Sequence, residues 1–442
     1  MASQLGPPQS PPPAKYPPPD ATTITAIGDD LLLEIFLRLP SLPSLVRTAF
    51  ACRTFLDAVR SSRTFRRQFC TFHPPQLLGF FINHCRSGSA IPPFVPLRSR
   101  SDPDLAAVVR GSDFFLTRLP VDSKDSSPGW YFEGCNDGYL VLANQSTKQI
   151  AVYNPLAQAL NLLPQAPDEI FHNYADFHIV FPNEDQRSFR MICVQQQLQA
   201  QVCATVFSPD TREWQCFPWV GTPTPLPGYD GDNCLNFYPG TVVNGFVYWK
   251  HTSQAYVLVL NTVTLQFSRM DLPPHLKEID YALFSLGQNK DGELCMVCAD
   301  YDAKQGALIV WFWRADDDGV EKWILNEVCP LDTFIDGSMC LTKAHVTVQL
   351  VAIIDGFVYL STRYSHTECL LCFCLETTEW KKLVDDTYAR HIHPYIMAWP
   401  PSLVSNKEDS QSKVTGDSLA NDGPVGTQGT PSVIFTNQTG TT

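Results

Sequence analysis

At 442 residues, the chain has room for two or three ordinary domains, or for one large repeat domain with attachments. Its hydrophobic fraction of 44% suits a globular protein and excludes a largely disordered one. With 45 acidic against 32 basic residues the net charge is −13, which repels phosphate backbones and argues against nucleic-acid binding. No run of about 18 apolar residues occurs, so no membrane-crossing helix is expected. The opening MASQLGPPQSPPPAKYPPPD has no apolar core of the kind a secretory signal needs. The 15 cysteines are odd in number in a long chain. They read as reduced, mostly buried thiols, which points to the cytoplasm or nucleus rather than to a disulfide framework.

In chain order, residues 1–22 come first, with eight prolines in the first twenty positions, and read as a disordered, polyproline-like leader. Residues 23–72 are helical. Asp29 and Asp30 suit a helix N-terminus electrostatically, and LLLEIFLRL runs on without Gly or Pro until Pro40. Glu34 and Arg38 stand in the favourable i, i+4 order and are the only polar residues from Leu31 to Leu39, so this helix is apolar nearly all round. A short second helix is predicted after Pro43, and a third from about Arg53 to Arg60, with Phe65, Phe69 and Phe72 continuing at helical spacing. One face of the first helix packs on the others. The remaining apolar face must be covered by the adjoining domain or by a partner protein.

Residues 76–400 change to short β-branched and aromatic runs separated by Asn-Gly and Asp-Gly turns. Asp137-Gly138 opens YLVLA, Asn244-Gly245 opens FVYW, Asp291-Gly292 opens ELCMVC, and Asp355-Gly356 opens FVYL. After the second strand of several units comes a polar turn, then a large apolar residue six positions on: Asn154 to Leu160, Ser208 to Trp214, Asn261 to Phe267, Cys374 to Trp380. The repeat is about 50 residues long, the scale of a kelch-like propeller blade, and predicts six to seven blades. No helix long enough for a βαβ crossover intervenes. Residues 402–442 are Ser, Thr, Gly, Asn, Asp and Gln with scarcely an aromatic, and read as a disordered tail.

Residues 25–67 resemble an F-box. Asp30, Leu31, Leu32, Ile35, Arg38, Leu39 and Pro40 match that family's pattern directly. Leu45 with Val46, and Cys52 with Arg53, match its later part, and Phe55 stands where Trp is usual. Ile27-Gly28 replaces the usual Leu-Pro, and Ala51 the usual Val. An F-box followed by a kelch-like, propeller-like domain is similar to the large plant F-box family. That resemblance implies the substrate-recognition subunit of an SCF-type ubiquitin ligase. Such a subunit is non-catalytic and needs no cofactor. Its F-box docks on the Skp adaptor and through it on a cullin, while its second domain selects a substrate protein. The implied adaptor ridge is Leu31, Leu32, Ile35, Leu39, Pro40, Leu45 and Val46. Residues 23–72 carry seven basic and four acidic residues, opposite in sign to the whole chain, which suits an acidic partner.

Other constellations carry less. Cys295-x-x-Cys298 and Cys369-x-x-Cys372 lie inside strand runs, where residues three apart point to opposite faces, whereas a zinc knuckle needs a turn between its cysteines. His391-x-His393 lacks a completing ligand. Asp316, Asp317 and Asp318 read as a solvated hairpin turn, and the tryptophans as blade packing. No phosphate loop, nucleophile elbow or dinucleotide fingerprint occurs. Two rivals remain: an interaction scaffold with a helical cap, and a propeller enzyme, which clustered and perturbed carboxylates or histidines in a central channel would favour.

Overall fold

A computed structural model describes residues 27–74, 76–84, 91–97, 103–120, 129–171, 174–181, 189–197, 201–221, 239–250, 256–277, 283–300, 306–316, 318–331, 347–364, 367–384, 389–400 and 403. The expected disordered leader, residues 1–22, lies outside them, as does the expected tail apart from Leu403. The chain divides into two compact units, one comprising 1–73 with 403–409 and the other the remainder.

The helical unit contains α1 (Asp29–Leu37), α2 (Leu42–Ala49), α3 (Arg53–Ser61) and α4 (Arg63–Phe72). The expectation of three or so helices becomes four because the backbone turns extended at Ser62, whose hydroxyl caps α4 by accepting from Phe65 N at 3.1 Å. Asp29 and Asp30 occupy the first turn of α1, where the helix dipole favours them. α1 packs on α3 and α4, and α2 on α3. The interior holds Leu32, Phe36, Leu45, Ala49, Phe55, Val59, Phe65 and Phe69, with Phe36 edge-on to Phe55 at 5.3 Å between ring centroids. Leu403 belongs to this unit and is buried, so the unit draws on chain from beyond the strand region.

The strand unit opens with β1 (Leu77–His84), β2 (Phe94–Pro96) and α5 (Pro103–Gly111). An antiparallel meander follows, of β3 (Trp130–Asn136), β4 (Tyr139–Asn144), β5 (Gln149–Asn154) and β6 (Ala159–Leu162). The next contains β7 (Tyr174–Val180), β8 (Arg190–Gln197), β9 (Gln201–Ser208) and β10 (Glu213–Cys216), with the short β11 (Val220–Gly221) also on β9. A third contains β12 (Thr241–Val243), β13 (Phe246–Lys250), β14 (Tyr256–Asn261) and β15 (Phe267–Asp271), followed by α6 (Pro274–Lys277). Then come β16 (Leu283–Gln288), β17 (Leu294–Asp300), β18 (Ala307–Ala315) and β19 (Glu321–Pro330). After them run β20 (Thr347–Ile354), β21 (Phe357–Tyr364), β22 (Thr367–Cys374), β23 (Trp380–Val384) and finally β24 (Ala389–Ile396).

Turn chemistry explains the repetition. Asp137-Gly138, Asn244-Gly245 and Asp355-Gly356 place both residues at positive φ, the turn whose twist matches paired strands. The third hairpin of four meanders puts Gln158, Arg212, Leu265 or Thr378 at φ between 51° and 58°. That geometry brings together the residues spaced seven apart: Tyr153 with Leu160, Phe207 with Trp214, Leu260 with Phe267, and Phe373 with Trp380.

This is a β-propeller: successive meanders stack face to face and the last strand pairs with the first. One apolar cluster joins β4, β5, β8 and β9; another joins β8 and β9 to β13 and β14; the next joins β13 and β14 to β17 and β18. The series continues from β17 and β18 to β21 and β22, and from there to β1. β24 pairs antiparallel with β1, so chain from both ends of the unit closes it.

The expected count of six to seven blades is corrected. Four sheets of four or more strands form, beside the three-stranded β2-β1-β24. The largest has eight strands because β16 and β20 join edge to edge through a parallel pairing of Gly287 with Ile353. A Cβ on Gly287 would lie 2.1 Å from Ile353 O, so only glycine admits that approach. Among the described residues no helix is long and apolar enough to cross a membrane.

Candidate docking surface

α1 carries two apolar stripes. Leu32 and Phe36, four residues apart, point into the helical core at 1% and 2% exposure. Leu31 and Ile35, also four apart and one position earlier, are 58% and 40% exposed. Glu34 and Arg38 flank the bare stripe with an exposed ion pair at 3.2 Å. α3 and α4 cover about one face of α1, and its sequence is apolar on two, so the second stripe remains bare.

The expected ridge is therefore divided. Leu31, Ile35 and Pro40 are exposed, Leu39 and Val46 are half-buried, and Leu32 and Leu45 belong to the interior. Buried among the helices, Leu32 and Leu45 hold α1 and α2 in place. Phe50, at the C-cap of α2, is exposed.

The strand unit buries the other candidates. Cys295 packs with β20–β22 while Cys298 packs with β12–β14, and Cys369 and Cys372 likewise enter different clusters. The alternation that separates each pair is the one expected of strands, and burial pushes the Cys295, Cys298 and Cys372 thiols up to about 12. Among the described residues no three His, Cys, Asp or Glu side chains form a metal-holding group. Asp316 caps its own hairpin by accepting from Asp318 N and Val320 N at 3.0 and 2.9 Å; Asp317 lies outside the described residues. Trp130, Trp249 and Trp311 are buried, and Trp214, Trp313, Trp323 and Trp380 pack at blade rims or bond backbone carbonyls.

Two electrostatic features of the first strands of the meanders escaped the sequence. Asp176 on β7 is buried, and its Oδ2 accepts from His178 Nε2, Gly240 N and Trp249 Nε1 at 2.9, 2.6 and 2.7 Å. Burial opposes its charge, yet His178 and these donors hold the carboxyl below its ordinary range. Glu133 sits at a β-bulge of β3, between Phe132 and Gly134, and burial followed by the Asp176 charge pushes it up to about 7. His393 of the expected His pair is driven down to about 4 by burial and by His391, and its ring lies edge-on to Phe132 at 4.9 Å.

A family model described as F-box protein AT5G49610-like, beta-propeller, matches residues 132–403. No curated protein matches the chain at a significant level. Among solved structures, a putative 6-phosphogluconolactonase from Bacteroides uniformis is similar at 12% identity and a TM-score of 0.34, over 60% of this chain and 73% of that one. A protein from Lactobacillus plantarum is similar at 13% identity and a TM-score of 0.32, over 62% and 74%. A post-proline cleaving enzyme from Rickettsia typhi reaches 9% and 0.33, over 61% of this chain and 39% of its own. Likenesses at this level carry no argument about activity.

Proposed function

We propose, from the premise that this chain belongs to the F-box protein AT5G49610-like β-propeller family, that it is the substrate-recognition subunit of an SCF-type ubiquitin ligase. The observation that carries the reading is the bare Leu31–Ile35 stripe on a helical unit that precedes the family's propeller. In this reading Leu31, Ile35 and Pro40, with the half-buried Leu39 and Val46, meet the Skp adaptor, and the adaptor links the chain to a cullin. The propeller holds a substrate protein, and the kelch-like repeat and plant-type kinship belong to the same proposal. The chain makes and breaks no bond. It raises the effective concentration of substrate lysines beside an enzyme carried by other subunits, in the cytoplasm or nucleus.

The test is retention of purified Skp adaptor by the full chain at micromolar concentration. Leu31→Asp with Ile35→Asp is expected to abolish retention while circular dichroism and the melting of the strand unit stay unchanged. Failure of the wild-type chain to retain the adaptor sinks the reading and leaves the scaffold alternative.

The enzyme alternative draws on one observation, the raised Glu133 beside Asp176. Against it, Asp176 Oδ2 is already occupied by three donors.

A further inference from the structure

Phe115 is the most exposed large apolar side chain among the described residues, at 93%. On a loose loop that would mean little, but this turn is fastened on several sides. Asp113 N donates to Pro155 O at 3.0 Å. Asp113 Oδ2 accepts from the Tyr153 hydroxyl, and from Thr117 N and Oγ1 at 2.8 and 3.0 Å. Burial works against that carboxylate, yet these hydrogen bonds keep it below its ordinary range, so the fastening stays charged. Gln158, in the turn between β5 and β6, clamps both ends: it donates to Gly111 O and accepts from Arg118 Nη2, each at 3.1 Å.

Phe114, Leu116 and Leu119 turn inward around Phe115 in sequence. Phe114 stacks on Phe94 with 3.7 Å between centroids and meets Tyr395 edge-on, while Leu116 and Leu119 are buried. Leu116 does so at φ +55°, a left-handed conformation disfavoured for a bulky side chain. The fold thus holds an unfavourable backbone angle that buries one leucine and leaves the adjacent phenylalanine in water. Arg118, three residues after Phe115, and Arg110, five before it, are both exposed in a chain whose net charge is −13. The single acidic residue between Gly111 and Pro120 is Asp113, which is spent inside the turn.

We propose that Phe115 is a preformed anchor for a protein partner: an acidic segment whose aliphatic side chains bracket the ring and whose carboxylates meet Arg118 and Arg110. Because the turn is already ordered, binding loses little conformational entropy, as in anchors that dominate protein interfaces. This rests on the substrate-receptor reading, and the segment belongs to the substrate.

The test selects random peptides displayed on phage against the full chain, then measures each by fluorescence anisotropy on wild type, Phe115→Ala, Phe115→Tyr and Arg118→Glu. Selected peptides are expected to combine acidic and aliphatic residues and to bind Phe115→Ala about tenfold more weakly, with Phe115→Tyr restoring affinity to within about twofold. Arg118→Glu is expected to weaken binding and reduce its dependence on salt. Phe115→Ala and Phe115→Tyr keep the wild-type melting temperature. Peptides that ignore Phe115, or a selection that yields none, overturn the anchor. Adaptor retention is scored on the same preparations. If wild type keeps the adaptor and the peptides ignore Phe115, only the anchor fails; if wild type does not keep it, the receptor reading fails.

Discussion

Truncating the two stripes of α1 separately distinguishes docking from folding. Leu31 and Ile35 are 58% and 40% exposed, so partner binding can still cover about those fractions of each side chain. Full burial of a leucine or isoleucine is worth roughly 1.5–3 kcal/mol. In proportion, the pair offers a partner about 1.5–3 kcal/mol in all, or roughly ten- to a hundredfold in affinity. Leu31→Ala with Ile35→Ala should therefore weaken Skp-adaptor binding by that factor in isothermal titration while barely shifting the urea midpoint. Leu32→Ala, one residue away but 1% exposed, should instead cost the fold about 2–5 kcal/mol. The reasoning is refuted if the double variant, still folded, binds the adaptor as tightly as wild type. It is equally refuted if Leu31 and Ile35 destabilise the helices as much as Leu32 does.

Glu133, pushed up to about 7 from an ordinary 4.5, is protonated more readily folded than unfolded, so its burial is tolerated below about pH 4.5 and penalised as pH rises through 7. Glu133→Gln should therefore stabilise the chain by up to about 3 kcal/mol at pH 8 and leave it unchanged at pH 4, as read from denaturation midpoints. Equal effects at both pH values refute this account. Gly287→Ala should destabilise by about 1–3 kcal/mol or more, because the new methyl meets Ile353 O at 2.1 Å and must part β16 from β20. An unchanged urea midpoint contradicts the close approach.

Much of this protein is written in local chemistry. Asp137-Gly138, Asn244-Gly245 and Asp355-Gly356 name their own turns, because adjacent positive φ angles suit few other pairs. The seven-residue spacings from Tyr153 to Leu160 and from Phe207 to Trp214 follow from the same economy, since a tight hairpin fixes register within one segment. Alternation along a strand likewise separates Cys295 from Cys298, whatever surrounds them. The helical run from Leu31 to Leu39 is as legible, and its excess of apolar residues already implies an uncovered face.

Contacts between distant segments were decided elsewhere. Whether Leu31 or Leu32 faces water depends on where α3 and α4 lie, and two adjacent leucines carry no mark of which is inside. The pairing of β1 with β24 joins segments at opposite ends of the strand unit, and the union of β16 with β20 depends on one glycine meeting one carbonyl. Glu133 owes its raised pKa first to burial and then to the Asp176 charge, and Phe115 stands on a turn that Asp113 and Gly111 fasten to Tyr153, Pro155 and Gln158. Short-range sterics act between neighbours in sequence, so the sequence states them. Burial and charge act between neighbours in space, which only the folded chain assigns.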